Sequence, residues 1–95
     1  MPESVPANAS LTPEPGHLYV VATPIGNMAD ISERARALLA AVDLVACEDT
    51  RNTGLLLNRL GIKTSMVAYH DHNETTAAEA LADQLAAGKT IALVC

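Results

Sequence analysis

The fold is decided by residues 18–47, which run LYVVATPIGNMADISERARALLAAVDLVAC. The stretch opens on a continuous apolar run, residues 18–23, and closes on a second strand-like run, residues 43–47. Strands that are apolar on both faces are typical of a parallel sheet covered by helices. Between the two runs, apolar residues recur at helical spacing: Ile31, Ala35, Leu38, Leu39 and Val42. The stretch therefore predicts a β-α-β unit whose helix buries one stripe.

The start and the solvent side of this first helix are also predicted. Asp30 is expected to cap the helix, with Glu33 three residues later completing a capping box. Arg34 and Arg36 lie between the apolar positions, so we expect them on the solvent side.

The same alternation continues along the chain. Further strands are predicted at residues 65–69 and 90–94, and further helices through residues 55–60 and about 74–87. Gly61 ends the earlier of these helices in the position favoured for a left-handed cap, and Gly88 stops the later one. In the later helix, three residues are expected to face inward: Ala78, Leu81 and Leu85. The order βαβαβαβ predicts an α/β fold of three layers, α/β/α, with a mainly parallel sheet whose strand order stays open.

Composition and charge narrow the class of protein. Residues 1–17 hold four of the five prolines without a hydrophobic period, which predicts a disordered leader before a domain of residues 18–95. Eleven acidic residues against six basic ones give a net charge of −5. A module that binds nucleic acid through its own field is usually basic, so any RNA contact must draw most of its attraction from elsewhere.

The cysteines and the apolar runs indicate the compartment. Cys47 and Cys95 end two runs predicted to be neighbouring strands, and they lack disulfide-framework or zinc-finger spacing. We expect two buried thiols in a reducing cytosol. No apolar run approaches the roughly 20 residues of a membrane span, and the N-terminus lacks a signal-peptide pattern. The sequence thus predicts a cytoplasmic protein with no membrane partner.

Polar side chains gather in three loops, each of which follows a predicted strand: Pro24–Asn27, Glu48–Arg51 and His70–Asn73. Ligands of such sheets bind beyond the carboxyl ends of the strands, next to helix N-termini. The loops at the opposite edge are short turns. This asymmetry predicts an active site at the carboxyl edge.

The first two loops each have a structural and a functional interpretation. The first contains one glycine and so lacks both the dinucleotide fingerprint and the phosphate-binding lysine loop; it is either a tight turn or a ligand-binding loop. In the second, Asp49 or Thr50 can cap a helix. Alternatively, Arg51 faces a phosphate while a neighbouring acid binds a ribose or an amine.

The third loop is the densest polar cluster. His70 and His72 with Asp71 could bind a metal or serve as a general base. Their i, i+2 spacing without a third ligand is a weak metal signal, so we expect no metal. Asn73 can simply cap the following helix. Gly54, within the second helix, favours close packing over ligand contact.

Three stretches taken together resemble one family: LYVVATPIGNMADI (18–31), EDTRNTGLL (48–56) and HDHNE (70–74). They are similar to the small-subunit ribosomal RNA methyltransferases of the tetrapyrrole methylase superfamily. The resemblance covers about residues 17–94, nearly all of the predicted domain. It implies S-adenosylmethionine-dependent 2′-O-ribose methylation of a cytidine in 16S rRNA of the small ribosomal subunit, by a two-domain homodimer.

The resemblance also implies roles for the loop residues. Four residues would face the cofactor in a cleft between the domains: Pro24, Ile25, Gly26 and Asn27. Four others would contact the substrate: Asp49, Thr50, Arg51 and Asn73. A ribose 2′-hydroxyl is a poor nucleophile, so a base would assist it, and the candidates for that role are His70, Asp71 and His72.

One feature departs from the family. In members of the family, the fourth strand leads into a loop that helps form the cofactor site. This chain stops at Cys95. We therefore expect an incomplete N-terminal part of the domain, inactive by itself. The alternatives are a sibling methylase acting on a tetrapyrrole and a non-catalytic α/β interaction module. An exposed fourth strand would also let two copies pair across the sheet edge.

Overall fold

The computed structural model describes residues 12–22, 31–69 and 74–94 of the chain. Within them, strands and helices alternate in the order β1 (Leu18–Val21), α1 (Glu33–Ala41), β2 (Leu44–Cys47), α2 (Thr50–Arg59), β3 (Ser65–Ala68), α3 (Glu74–Ala86) and β4 (Ile91–Val94). This alternation confirms the predicted α/β fold class.

The four strands form one parallel sheet in the order β1-β4-β2-β3. β4 lies inside the sheet, where Ile91 and Ala92 are fully buried. The alternative in which two copies pair across an exposed fourth strand is therefore contradicted, because β4 is not an edge of the described sheet. Its apolar run is that of a central strand, which needs apolar side chains on both faces. The free edges of the described sheet are β1 and β3.

Helices cover both faces of the sheet, which confirms the three layers. α1 and α2 contribute Leu39 and Leu57 to a core with Val45 and Ala92 of the sheet. α3 contributes Leu81 to a second core on the opposite face, with Ala46 and Ile91 among its other members. Successive strand residues point to opposite faces, so neighbouring residues of one strand feed different cores. The predicted stripe of α1 is confirmed, since Leu39 and Val42 belong to the first core and Ile31, Ala35 and Leu38 pack against that core.

Two helix details differ from the sequence predictions. α1 begins at Glu33, and its N-cap is Ser32, whose Oγ accepts a hydrogen bond from the Ala35 backbone N–H at 3.0 Å. The predicted cap, Asp30, lies outside the described residues. In α3, Ala77 is buried and Ala78 is exposed, because the stripe runs through Ala77, Leu81 and Leu85 at a spacing of four residues.

The predictions for Gly61 and Gly88 are confirmed. Gly61 and Gly88 follow their helices with φ of +74° and +91°, the left-handed region that residues with a Cβ rarely adopt. At the amino edge of the sheet, Asp43 and Thr90 join β2 to β4: the Thr90 backbone N–H donates to Asp43 Oδ2 at 2.9 Å, and the Asp43 N–H donates to Thr90 Oγ1 at 2.9 Å.

Backbone hydrogen bonds attach the two residues before β1, Gly16 and His17, to the strand β4 and the residue Lys89 that precedes it. The Gly16 N–H donates to the Lys89 carbonyl at 3.0 Å, and the Ile91 N–H donates to the His17 carbonyl at 3.2 Å. Residues 1–11 of the predicted leader lie outside the described residues. Across the described ranges, no helix is both long and apolar enough to cross a membrane.

Candidate functional site

The carboxyl ends of the four strands lie in a single row. In the register of the sheet, Val94 pairs with Val21 on one side and with Cys47 on the other, and Cys47 pairs with Ala68. These are the last residues of their strands. The strands that precede the three predicted polar loops therefore end at one edge; β2 and β3 are one strand spacing of about 4.8 Å apart, whereas β1 and β2 are separated by β4. The prediction that all three loops begin at the same edge of the sheet is confirmed for the strand ends.

A crevice is expected between the ends of β2 and β3. β2 continues into α2, which packs on one face of the sheet, while β3 continues into α3, which packs on the other. Neighbouring strands whose helices diverge to opposite faces leave an opening at their carboxyl ends, and ligands of open α/β sheets bind there. The loops Glu48–Arg51 and His70–Asn73 follow these two strands.

Asp49 organises the loop after β2. It is the N-cap of α2, and its Oδ1 accepts hydrogen bonds from the backbone N–H groups of Arg51 at 2.9 Å and Asn52 at 3.4 Å. The structural interpretation of Asp49 is thereby confirmed, and Thr50 is the first helical residue instead of the cap. The cap fixes where the positive end of the α2 dipole points, which is toward the carboxyl edge.

The side chains around this cap are exposed. Glu48, Asp49, Thr50 and Arg51 all face solvent, and within the described residues the Arg51 guanidinium makes no ion pair or hydrogen bond. A guanidinium beside two carboxylates and a helix N-terminus can bind an anionic group such as a phosphate, while the carboxylates suit hydroxyl or cationic groups.

One buried polar residue beneath this loop, Thr53, is not predicted by the sequence patterns. Thr53 is 8% exposed, and its side chain hydrogen-bonds the Cys47 thiol. Burial raises the pKa of Cys47, the Thr53 hydrogen bond acts in the opposite direction, and the charge of Asp49 raises it further. The thiol therefore stays protonated and unreactive, as predicted for a buried cysteine.

The other predicted site residues lie outside the described residues. They are Pro24, Ile25, Gly26 and Asn27 after β1, and His70, Asp71, His72 and Asn73 after β3. Their roles stay predictions. Among the described residues, no group of three His, Cys, Asp or Glu side chains could hold a metal ion.

An open cleft of about 380 Å³ lies beside β1 and α1. Its lining includes Ala22, the last described residue before the Pro24 loop, and Ser32 and Arg34 on the far side of that loop. Arg34, which the sequence placed on the solvent side, is exposed and also lines this cleft. A volume of this size suits part of a small-molecule cofactor.

Comparison with known proteins identifies a family and several relatives of this chain. Residues 17–95 match the model of the tetrapyrrole (corrin/porphyrin) methylases. The chain is 58% identical over 79 residues to ribosomal RNA small subunit methyltransferase I of Escherichia coli O157:H7, and 54% and 52% identical over 79 residues to proteins of the same name from Pasteurella multocida and Synechocystis. Each alignment covers 83% of this chain and 28% of the relative, so the chain spans little more than a quarter of the length of these curated relatives. The resemblance found in the three polar loops is confirmed, and the chain belongs to the tetrapyrrole (corrin/porphyrin) methylase family.

Proposed function

We propose that this chain is part of an enzyme that methylates the ribose 2′-hydroxyl of a cytidine in 16S rRNA, using S-adenosylmethionine, on the small ribosomal subunit. The observation that carries the proposal is the identity of 52–58% to three proteins named ribosomal RNA small subunit methyltransferase I. The enzyme is proposed to act as a homodimer in the cytoplasm. The parallel sheet supports the proposal, because its carboxyl edge is where all three motif loops begin.

The residues of the carboxyl edge have chemistry that fits the cofactor. S-adenosylmethionine carries a sulfonium and an ammonium cation together with ribose hydroxyls, and when bound it supplies an electrophilic methyl group. The exposed carboxylate of Glu48 is an acceptor for such groups, and the cleft beside β1 offers volume next to the Pro24 loop. We propose that Pro24, Ile25, Gly26 and Asn27 hold the cofactor.

The substrate is assigned to the other two loops. Arg51 would bind a phosphate of the RNA backbone, since its guanidinium is exposed and without a partner among the described residues. Asp49 and Thr50, together with Asn73, would orient the target nucleotide. One of His70, Asp71 and His72 would accept the proton that leaves the 2′-hydroxyl, and a histidine near neutral pH is well matched to that transfer.

The charge of the chain bears on how RNA is held. A net charge of −5 repels a polyanion, so one arginine cannot supply the affinity for rRNA. We propose that the remainder of the longer enzyme supplies the basic surface, while this chain positions the reacting groups.

The test is methyl transfer with the protein extended to the length of its relatives. The protein is incubated with methyl-labelled S-adenosylmethionine and unmodified small ribosomal subunits, with the 95-residue chain alongside. We expect label in a ribose of 16S rRNA with the extended protein only. Label on a base, or no label in RNA, would contradict the proposal. Transfer of label to a tetrapyrrole supplied in a parallel incubation would favour the sibling methylase.

A further inference from the structure

The basic and acidic residues of the chain are segregated along the sequence and across the sheet. Residues 50–70 contain Arg51, Arg59 and Lys63 and no acidic residue, which leaves the other three basic residues and all eleven acidic ones elsewhere. α2 carries two of these arginines and no acid, while α3, on the opposite face of the sheet, carries three acids and no basic residue. A chain with a net charge of −5 therefore concentrates positive charge around α2.

The solvent-facing side of α2 is cationic. Residues at positions i, i+4 and i+8 lie along one side of a helix, and in α2 these are Arg51, Leu55 and Arg59. All three are exposed, Leu55 at 59%, and so are Asn52 and Asn58 beside them. Among the described residues, neither guanidinium makes an ion pair or a hydrogen bond. These five residues form what we call the α2 face.

The chemistry of the α2 face matches the backbone of RNA. A guanidinium binds phosphate through charge-assisted, bidentate hydrogen bonds, and asparagine amides donate to phosphate and sugar oxygens. Arg51 and Arg59 are about 12 Å apart along a helix that rises 1.5 Å per residue, so they would contact different phosphates. Arg51 also lies in the first turn, where the helix dipole opposes a cation, so helix stability does not account for its charge.

A second copy of the chain fits the α2 face less well than RNA does. A symmetric dimer brings the same patch of each subunit together, so it would place the arginines of both subunits against one another. The position of the face also favours RNA. It begins at Arg51, in the loop after β2 to which the substrate is assigned above, so RNA bound at that loop can continue along α2.

We propose that the α2 face is a docking surface for the sugar-phosphate backbone of the rRNA, next to the target nucleotide. This inference rests on the proposed function, from which it takes the RNA substrate. It adds a local contact to the basic surface assigned to the remainder of the longer enzyme. Since each phosphate contact releases counterions, each arginine should contribute about 0.7–0.9 to the slope of log affinity against log salt concentration.

RNA binding by the protein extended to the length of its relatives tests the proposal. Arg59→Ala is the test variant, and Arg36→Ala, which removes an exposed arginine of α1, is the matched control. The dissociation constant for unmodified small ribosomal subunits is measured for each over a range of salt concentrations. We expect Arg59→Ala to weaken binding about fivefold at about 0.1 M salt and to lower the slope by about 0.7–0.9. Arg36→Ala should stay within about twofold of the wild type.

A second variant, Leu55→Lys, distinguishes RNA from a protein partner. It adds a positive charge at the centre of the α2 face, so it should tighten binding to the subunits and leave the oligomeric state of the protein unchanged. Dissociation of an oligomer by Leu55→Lys, measured by sedimentation, would make a second copy the occupant and overturn the proposal.

The binding data also separate this proposal from the proposed function. Equal dissociation constants and salt slopes for Arg59→Ala and Arg36→Ala, in proteins that still methylate rRNA, would overturn the docking surface and leave the proposed function intact. A wild-type extended protein that does not bind the subunits would overturn both.

Discussion

Asp49 has both a structural and a proposed functional role. Its Oδ1 accepts the two backbone hydrogen bonds that fix the start of α2, while Oδ2 has no partner among the described residues. The carboxylate is exposed at the carboxyl edge of the sheet. One oxygen can therefore hold the helix while the other contacts a ligand.

Substitution of Asp49 separates these roles. Asp49→Ala removes the cap and should lower the free energy of unfolding by about 0.5–2 kcal/mol, whereas Asp49→Ser keeps a capping oxygen and should cost less. Urea unfolding of both variants measures this. In the extended protein, Asp49→Ser should still lower kcat/KM for methyl transfer. A kcat/KM of Asp49→Ser equal to that of the wild type would show that capping is the only role of Asp49.

Asp43 gives the fold a dependence on pH. Hydrogen bonds from the Thr90 backbone N–H and hydroxyl lower the pKa of the Asp43 carboxyl; desolvation acts in the opposite direction, and the charge of Lys89 contributes least and also lowers the pKa. Because the folded pKa lies below the unfolded one, the stabilisation is fully present above the ordinary pKa of about 3.9. It is lost as the pH falls through the folded value.

The variant Asp43→Asn tests this sign, because it keeps an acceptor oxygen for Thr90 but does not titrate. The wild type should lose stability relative to Asp43→Asn as the pH is lowered below about 3.9. Urea unfolding midpoints of the two proteins over that range give the difference. A difference that stays constant with pH would contradict the assignment.

At the scale of elements, hydrophobic spacing predicted the strands and helices. Tertiary contacts decided the cap of α1, the buried face of α3 and the order of the strands. Ser32 and Asp30 are both good capping residues, so the sequence could not settle which one starts α1. Ala77 and Ala78 are equally apolar, and only the packing of α3 on Leu81 and Leu85 selects Ala77. The strand order stayed open because the central position of β4 depends on pairing with strands distant in sequence.

For the candidate site, the sequence predicted the edge of the sheet at which it lies but not the contacts of its side chains. Three polar loops after three strands indicated the carboxyl edge, and parallel pairing confirmed that the strands end there together. Thr53 was missed because a threonine in a helix gives no sign of a buried thiol beneath it. Gly54 was expected at a close contact, and an ideal Cβ built on it lies 3.3 Å from Met66 Cε.

Two glycine substitutions should change stability in opposite directions. Gly54→Ala gains up to about 1 kcal/mol of helix propensity, and the flexible end of the Met66 side chain can move away. Gly61→Ala meets no atom within 4 Å, but its φ of +74° costs a residue with a Cβ about 1–2 kcal/mol. Chemical unfolding of both variants measures the two changes. Destabilisation by Gly54→Ala would show that the contact between α2 and β3 cannot relax.

At the scale of the whole molecule, the fold separates a structural edge from a proposed chemical edge. The amino edge holds the Asp43–Thr90 hydrogen bonds and the glycine-terminated turns. The carboxyl edge holds the exposed Glu48–Arg51 loop and the starting points of the two other motif loops. Each edge has an exposed cationic residue: Arg51, after β2, lies at the carboxyl edge, and Lys63, before β3, lies at the amino edge. Removing one positive charge from each edge in turn therefore compares the two edges.

The most direct measurement is kcat/KM for methyl transfer to 16S rRNA by the extended protein carrying Arg51→Ala or Lys63→Ala. Loss of a charge-assisted contact of about 1.5–3 kcal/mol should lower kcat/KM roughly tenfold to hundredfold for Arg51→Ala. Lys63→Ala removes the same charge from the amino edge and should stay within about twofold of the wild type, as expected for an exposed residue away from the site. A loss for Lys63→Ala equal to or larger than that for Arg51→Ala would contradict the placement of the chemistry at the carboxyl edge.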